Sequence, residues 1–135
     1  MMINCEIFDD NWRQIGFSPP DTGYTELPPW PEPMRVSGSL RQWQKVAFEG
    51  EELIGVLWRS EGGVIKIDDY PYDQTVIVLR GSLTLKETDG REQHFGPGGT
   101  FMLPRGFKGL WIMDGDDYEE LVVVERATFL RHEQQ

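Results

Sequence analysis

The residues able to do chemistry gather in one short window and at one later corner. Asp68, Asp69, Tyr70, Tyr72, Asp73 and Gln74 share the window, and Lys108 and Trp111 stand on either side of Gly109. A glutamine amide both donates and accepts, a tyrosine hydroxyl does the same, and an indole offers a flat apolar wall. Tyr70, Tyr72, Gln74, Lys108 and Trp111 are therefore the ligand-binding candidates, and together they suit a small polar or amphipathic compound. The competing reading has Gln74 and Tyr70 satisfying each other or buried waters while Trp111 is core. Lys108 falls one place off the inward register of its strand and is expected at the rim or on the surface.

A transition-metal centre needs imidazole, thiolate or carboxylate ligands converging from several positions. The chain has two histidines and one cysteine. His94 lies in a short strand and His132 in the C-terminal tail. Both could titrate near neutral pH, and surface or capping roles are expected for them. Cys5 has no basic neighbour in sequence to activate it. Asp68, Asp69 and Asp73 could serve a hard cation, yet acidic residues at a strand start more often form a solvated rim. The expectation is no metal and no cofactor. No Ser/His/Asp motif is present, and the glycine run from Gly96 to Gly99 precedes a strand rather than the helix a phosphate loop needs.

The elements that must position these residues are strands. WQKVAF from Trp43, LIGVLW from Leu53 and VIKI from Val64 are separated by glycine turns. Val76 to Leu79 and Ser82 to Lys86 follow, with Gly81 read as the turn between them. Asp89-Gly90 is a hairpin signal and Arg91 to Phe95 the returning strand. Pro104 pushes Leu103 to an extended conformation and Gly106 can supply a positive φ, which makes a corner. Gly109 to Met113 and Leu121 to Val124 complete the series, with Gly115-Asp116-Asp117 read as a turn. Alternation puts Gln74, Val76 and Val78 on the inner face and Thr75, Ile77 and Leu79 on the other, so both faces are apolar and both need cover. The same counting turns Trp111 and Met113 inward. Residues 128–135 fit either a last strand or a short helix.

The glycine and proline framework, Gly62 and Gly81 in one motif and Gly98, Pro104 and Gly106 in a second, resembles that of the cupins. The string YDQ…VLRGSLTL…DG…FGPGG…LPRGFKGLW is similar to the ethanolamine-utilisation and ureidoglycine-aminohydrolase-type subfamily. The resemblance implies an all-β, single-domain double-stranded β-helix, a jelly-roll barrel. It also implies where a metal would be held. The family's glutamate position falls on Gln74, its paired histidines on Tyr70 and Asp68, its later histidine on Gly109 and its asparagine on Met113, so no histidine ligand remains.

The chain divides into an extended proline-rich arm over residues 1–35, a barrel over residues 36–127 and a tail over residues 128–135. Trp12, Phe17, Tyr24 and Trp30 make the arm too apolar to stay in water, and it is expected to pack on the barrel or on a second subunit. A net charge of −10 repels phosphate backbones and anionic membranes. No apolar run approaches the roughly 20 residues that span a bilayer. With one cysteine and no apolar leader, a cytoplasmic protein is expected. Apolar surface left by the two-faced strand and the arm predicts a homodimer. Three functions stay open: a metal-independent cupin binding a small polar molecule, an enzyme of the amine or ureide type that the resemblance implies, and a structural or interaction subunit with a filled barrel.

Overall fold

The computed structural model describes residues 22–133. Cys5, Trp12 and Phe17 lie outside them. Nine strands and one helix follow in order: β1 Thr25–Glu26, β2 Arg35–Gly38, β3 Gln42–Glu49, β4 Leu53–Ser60, β5 Gly63–Asp68, β6 Gln74–Glu87, β7 Glu92–Phe95, β8 Thr100–Leu103, β9 Lys108–Glu125 and α1 Arg126–Glu133. Residues 128–133 of the tail lie in the helix. A single 3-10 turn, Glu32–Met34, precedes β2.

Two long strands organise the fold. β6 and β9 run antiparallel along their whole lengths, from Thr75 against Val123 to Glu87 against Gly109. The second half of β9 also pairs with β4, and its first half pairs with β5. On β6 the first half takes β8 and the second takes β7. One curled sheet thus behaves as two, β1-β3-β4-β9-β6-β8 and β2-β5-β9-β6-β7, joined through the bends of the long strands. Ile65 and Ile67 of β5, Val76 and Val78 of early β6, Leu83 and Leu85 of late β6, and Trp111 and Tyr118 of β9 share one core. Burial of these alternating side chains from both halves is what closes the sheet on itself.

The bends correct two expected turns. Gly81 and Gly115-Asp116-Asp117 do not end strands; each sits inside one. Their φ values, +77° at Gly81 and +80° at Gly115, place them in a bulge where Ser82 pairs with Asp114 and Arg80 with Glu119, leaving residues 115–118 out of register. A Cβ on Gly81 would meet the Asp117 carbonyl oxygen at 2.8 Å, so the crossing strands come close only because a glycine is there. Asp89-Gly90 forms the expected hairpin, with Gly90 N–H bonding to Glu87 O at 2.9 Å.

The corner at Pro104 to Gly106 clamps the loop that carries the sequence window. Gly106, at φ +88°, donates its N–H to Tyr70 O at 2.7 Å, and Tyr70 N–H bonds to Phe107 O at 3.0 Å. The Arg105 N–H reaches Asp73 Oδ1 at 2.7 Å. The Tyr70 to Asp73 loop is therefore pinned on both sides before β6 begins.

Candidate functional site

Alternation on the paired strands builds a polar patch inside the apolar interior. Reading across the first sheet, Gln44, Trp58, Glu120 and Val78 face one another as one inward row. The row beside it runs Val46, Val56, Val122, Val76 and Phe101. From the other sheet Ile65, Trp111 and Leu85 form the facing row. Between them lies a cavity of about 160 Å³, walled by Trp30, Trp58, Trp111, Tyr70, Tyr72 and aliphatic side chains, with Gln42, Gln44, Gln74 and Glu120 as polar groups and Glu133 at the end of α1. A cavity of about 150 Å³ accommodates a molecule the size of benzene. That sets the size class of an occupant.

Glu120 is the group that counting along the sequence does not reach. It is 3 % exposed and accepts a 2.7 Å hydrogen bond from the Tyr118 hydroxyl. Among the described residues it has no ion-pair partner, and no lysine, arginine or histidine lines the cavity. Burial pushes its carboxyl up to about 8, against a smaller downward pull from the Tyr118 hydrogen bond. The Tyr118 phenol is itself held far above its usual range, by burial first and then by the Glu120 charge, so it stays protonated and donates.

Four of the five sequence candidates meet here. The Tyr70 hydroxyl donates to Gln74 Oε1 at 2.9 Å. That pairing is the one the structural reading expected, yet both residues also line the cavity. Burial raises both the Tyr70 and Tyr72 phenols above their ordinary value, which keeps them neutral. Tyr72 packs edge to face on Tyr70 with centroids 5.4 Å apart. Trp111 packs against Trp58 and Phe101, and its indole N–H, like that of Trp30, is buried without a hydrogen-bond partner among the described residues. Lys108 is the candidate the structure leaves out: it is exposed, beside a surface groove formed with Glu87, Thr88 and Pro104.

The described part of the arm supplies a wall. Gln42, 7 % exposed, accepts from Trp58 Nε1 at 2.8 Å and donates to Pro28 O at 2.8 Å. This side chain ties the Leu27 to Trp30 segment over the barrel and satisfies the second indole. Trp30 then meets Trp58 edge to face at 6.2 Å. On the opposite side of the mouth α1 contributes Phe129, and His132 lies 5.2 Å from the Tyr72 ring. His94 is far from this chemistry in an exposed contact with Thr84.

The donor set does not fit a transition metal of the kind cupins hold. Asp68 is exposed and paired in register with Lys108, while Ile67, one residue earlier, faces the cavity; the strand phase therefore takes Asp68 away from the position that counting assigned to it. At Gly109 a Cβ would lie 2.3 Å from the Lys86 carbonyl oxygen, so the backbone leaves no room for a ligand side chain there. Asp69 and Asp73 stay exposed, and no three histidine, cysteine or acidic side chains converge among the described residues.

Residues 50–115 match the model of the EutQ-like cupin domain. Solved structures agree on the fold. The EutQ protein of Clostridium difficile superimposes with a TM-score of 0.54 at 20% identity, over 70% of this chain and 78% of that one. A cupin 2 conserved barrel domain protein from Rhodopseudomonas palustris gives 0.59 at 16% identity, over 77% and 71%. The polyketide cyclase RemF from Streptomyces resistomycificus gives 0.53 at 22% identity, over 62% of this chain and 64% of the cyclase, less than two thirds of its length. The fold is therefore of the cupin kind, and at these identities the structural likeness speaks to the fold alone. No curated protein matches the chain in sequence. Among the described residues no helix is long and apolar enough to cross a membrane.

Proposed function

We propose that this is a metal-independent cupin-domain protein that binds a small polar molecule in the cavity between its two sheets. The observation that carries the reading is the wall of that cavity. Gln74, Glu120 and a Trp111 N–H without a partner among the described residues sit, with Gln42, Gln44 and Glu133, in a largely aromatic and aliphatic enclosure. A core evolved only to fill space pairs its buried polar groups, and leaving one unpaired costs about 1–3 kcal/mol. An occupant offering an acceptor to the indole and polar atoms to Gln74 and Glu120 removes that cost. The cavity volume also favours this reading over a structural subunit with a filled barrel.

Metal independence is supported by the donor set, in which the family's ligand positions carry Asp68, Tyr70, Gln74 and Gly109. A single cysteine is in keeping with a cytoplasmic setting. The enzyme reading, in the ethanolamine-utilisation or ureidoglycine-aminohydrolase-like branch, gains one specific support: a carboxyl titrating at about 8 inside a cavity is suited to proton transfer near neutral pH. The test is a thermal-shift screen of small amines, ureides, sugars and carboxylates on wild type and Gln74→Leu. A hit lost in the variant at unchanged melting temperature supports binding, and turnover of that hit makes the protein an enzyme. Absence of any hit removes the reading.

We also propose a homodimer formed through the outer face of the first sheet. Phe48, Gly55, Val123, Thr75 and Met102 lie in one row across it, and Leu57, Leu121 and Ile77 in the next. Met102 is 69 % exposed and Leu53, on the same face, 52 %. Leu57 and Leu121 are already buried in a cluster with Tyr24, so the exposed residues Phe48, Leu53 and Met102 are the part of this face suited to a second copy of itself.

A further inference from the structure

We propose that the cavity takes a small monovalent organic cation, an ammonium whose charge is met by Glu120 and whose carbon skeleton packs on the tryptophan and tyrosine walls. This rests on the reading of the barrel as a binding site and names the chemical class of its ligand.

Charge decides the sign. The titratable groups around the cavity are Glu120 and Glu133, both acids, and the phenols of Tyr70 and Tyr72, with Tyr118 hydrogen-bonded to Glu120 from within the core. Among the described residues no cationic side chain lines it. A bound anion would find no countercharge in the walls among the described residues and would oppose ionisation of Glu120, whereas a bound cation would supply the countercharge that lets Glu120 ionise. The walls point the same way. Three indoles and two phenols wall the cavity with Glu120 and Glu133, and their rings are set at steep angles to one another: Trp30 to Trp58 at 82°, Trp58 to Trp111 at 76°, Tyr70 to Tyr72 at 75°. Aromatic surface facing in several directions favours an alkylammonium through its ring quadrupoles. The free N–H donors of Trp30 and Trp111 add a preference for an ammonium that also carries an oxygen acceptor. At long range the net charge of −10 draws cations towards the protein.

Proton linkage gives the binding a signature. The Glu120 carboxyl, raised to about 8 by burial, is mostly protonated at neutral pH in the empty site. An entering ammonium stabilises the ionised form, so binding releases a proton and tightens about tenfold per pH unit below that pKa. Alkylammonium ions, with reference pKa values of about 10, stay charged throughout.

The experiment uses the whole chain and size-matched probes: ethyl to butyl ammonium ions, the corresponding alcohols and the corresponding carboxylates, followed by melting temperature and calorimetry. The ammonium series should bind saturably, release protons at pH 7 when measured in buffers of different ionisation enthalpy, and weaken at least tenfold in Glu120→Gln. Glu92→Gln, on the exposed strand β7 and outside the cavity, should bind as well as wild type. Alcohols or carboxylates binding better than ammonium ions, or ammonium binding without proton release from the wild type, would overturn the cation while leaving the barrel as a binding site. No response to any of the three series would overturn both.

Discussion

Inside the barrel the Tyr118 hydroxyl donates to Glu120 Oε1 across 2.7 Å, two residues along the same strand. The pair lies in the strand that also pairs with β4, so the carboxyl is fixed from both sides. One hydrogen bond offsets only part of the cost of burying a charge, which is why the carboxyl stays raised.

Stability should therefore fall as the carboxyl ionises. Glu120 binds its proton more tightly folded, at about 8, than unfolded, near the ordinary 4.5. Between these values the folded state holds more protons, so stability drops as pH rises through the window and the loss is complete above it. Each unit of pKa difference corresponds to about 1.4 kcal/mol. Denaturant titrations from pH 5 to pH 9 should show the wild type losing several kcal/mol, and Glu120→Gln should remove most of that slope. A wild-type profile that rises across this window would contradict the assignment.

The neighbouring residue, unlike Glu120, has cationic partners. Glu119 points to the outer face, is fully buried, and is held by Arg59 at 3.0 Å, by Arg80 at 3.0 Å and by the Tyr24 hydroxyl. Glu119→Ala leaves the Arg59 and Arg80 guanidiniums without this carboxylate and should destabilise by about 3–5 kcal/mol. Chemical denaturation measures it. A cost near that of an exposed ion pair, about 0–1 kcal/mol, would show that the cluster contributes little.

The strand framework was legible because period-two alternation and the Asp89-Gly90 hairpin are local signals. Gly81 and Gly115 were not, since a glycine at positive φ serves a turn and a bulge equally, and only the partner strand shows which. The same bulge hid Glu120. Counting by twos from Trp111 fails across residues 115–118, although Glu120 alternates with Val122 and Val124 and could have been found from that end. Tyr70, Gln74 and Trp111 were legible as inward positions. Asp68 is exposed, as expected for an acidic rim at the strand end.

Self-association should follow from the outer face. Light scattering at micromolar concentration is expected to give twice the 15.6 kDa chain mass, and Met102→Asp should shift the protein towards monomer without unfolding it. A wild-type mass equal to one chain would rule the dimer out.

Elemental analysis should find no stoichiometric zinc, manganese, nickel or iron, and a chelator should leave the melting temperature unchanged. One equivalent that resists dialysis would mean that ligands converge in a way the Gly109 backbone contact opposes.

The most direct measurement is a high-resolution crystal structure of the protein with the best small-molecule hit from the screen. Density for the compound should lie in the cavity, in contact with Gln74 and Glu120 and with an acceptor within hydrogen-bonding distance of Trp111 Nε1. A compound bound on the surface instead, with side chains filling the cavity and Trp111→Ala costing about 3–5 kcal/mol of stability as a core residue would, would contradict the account.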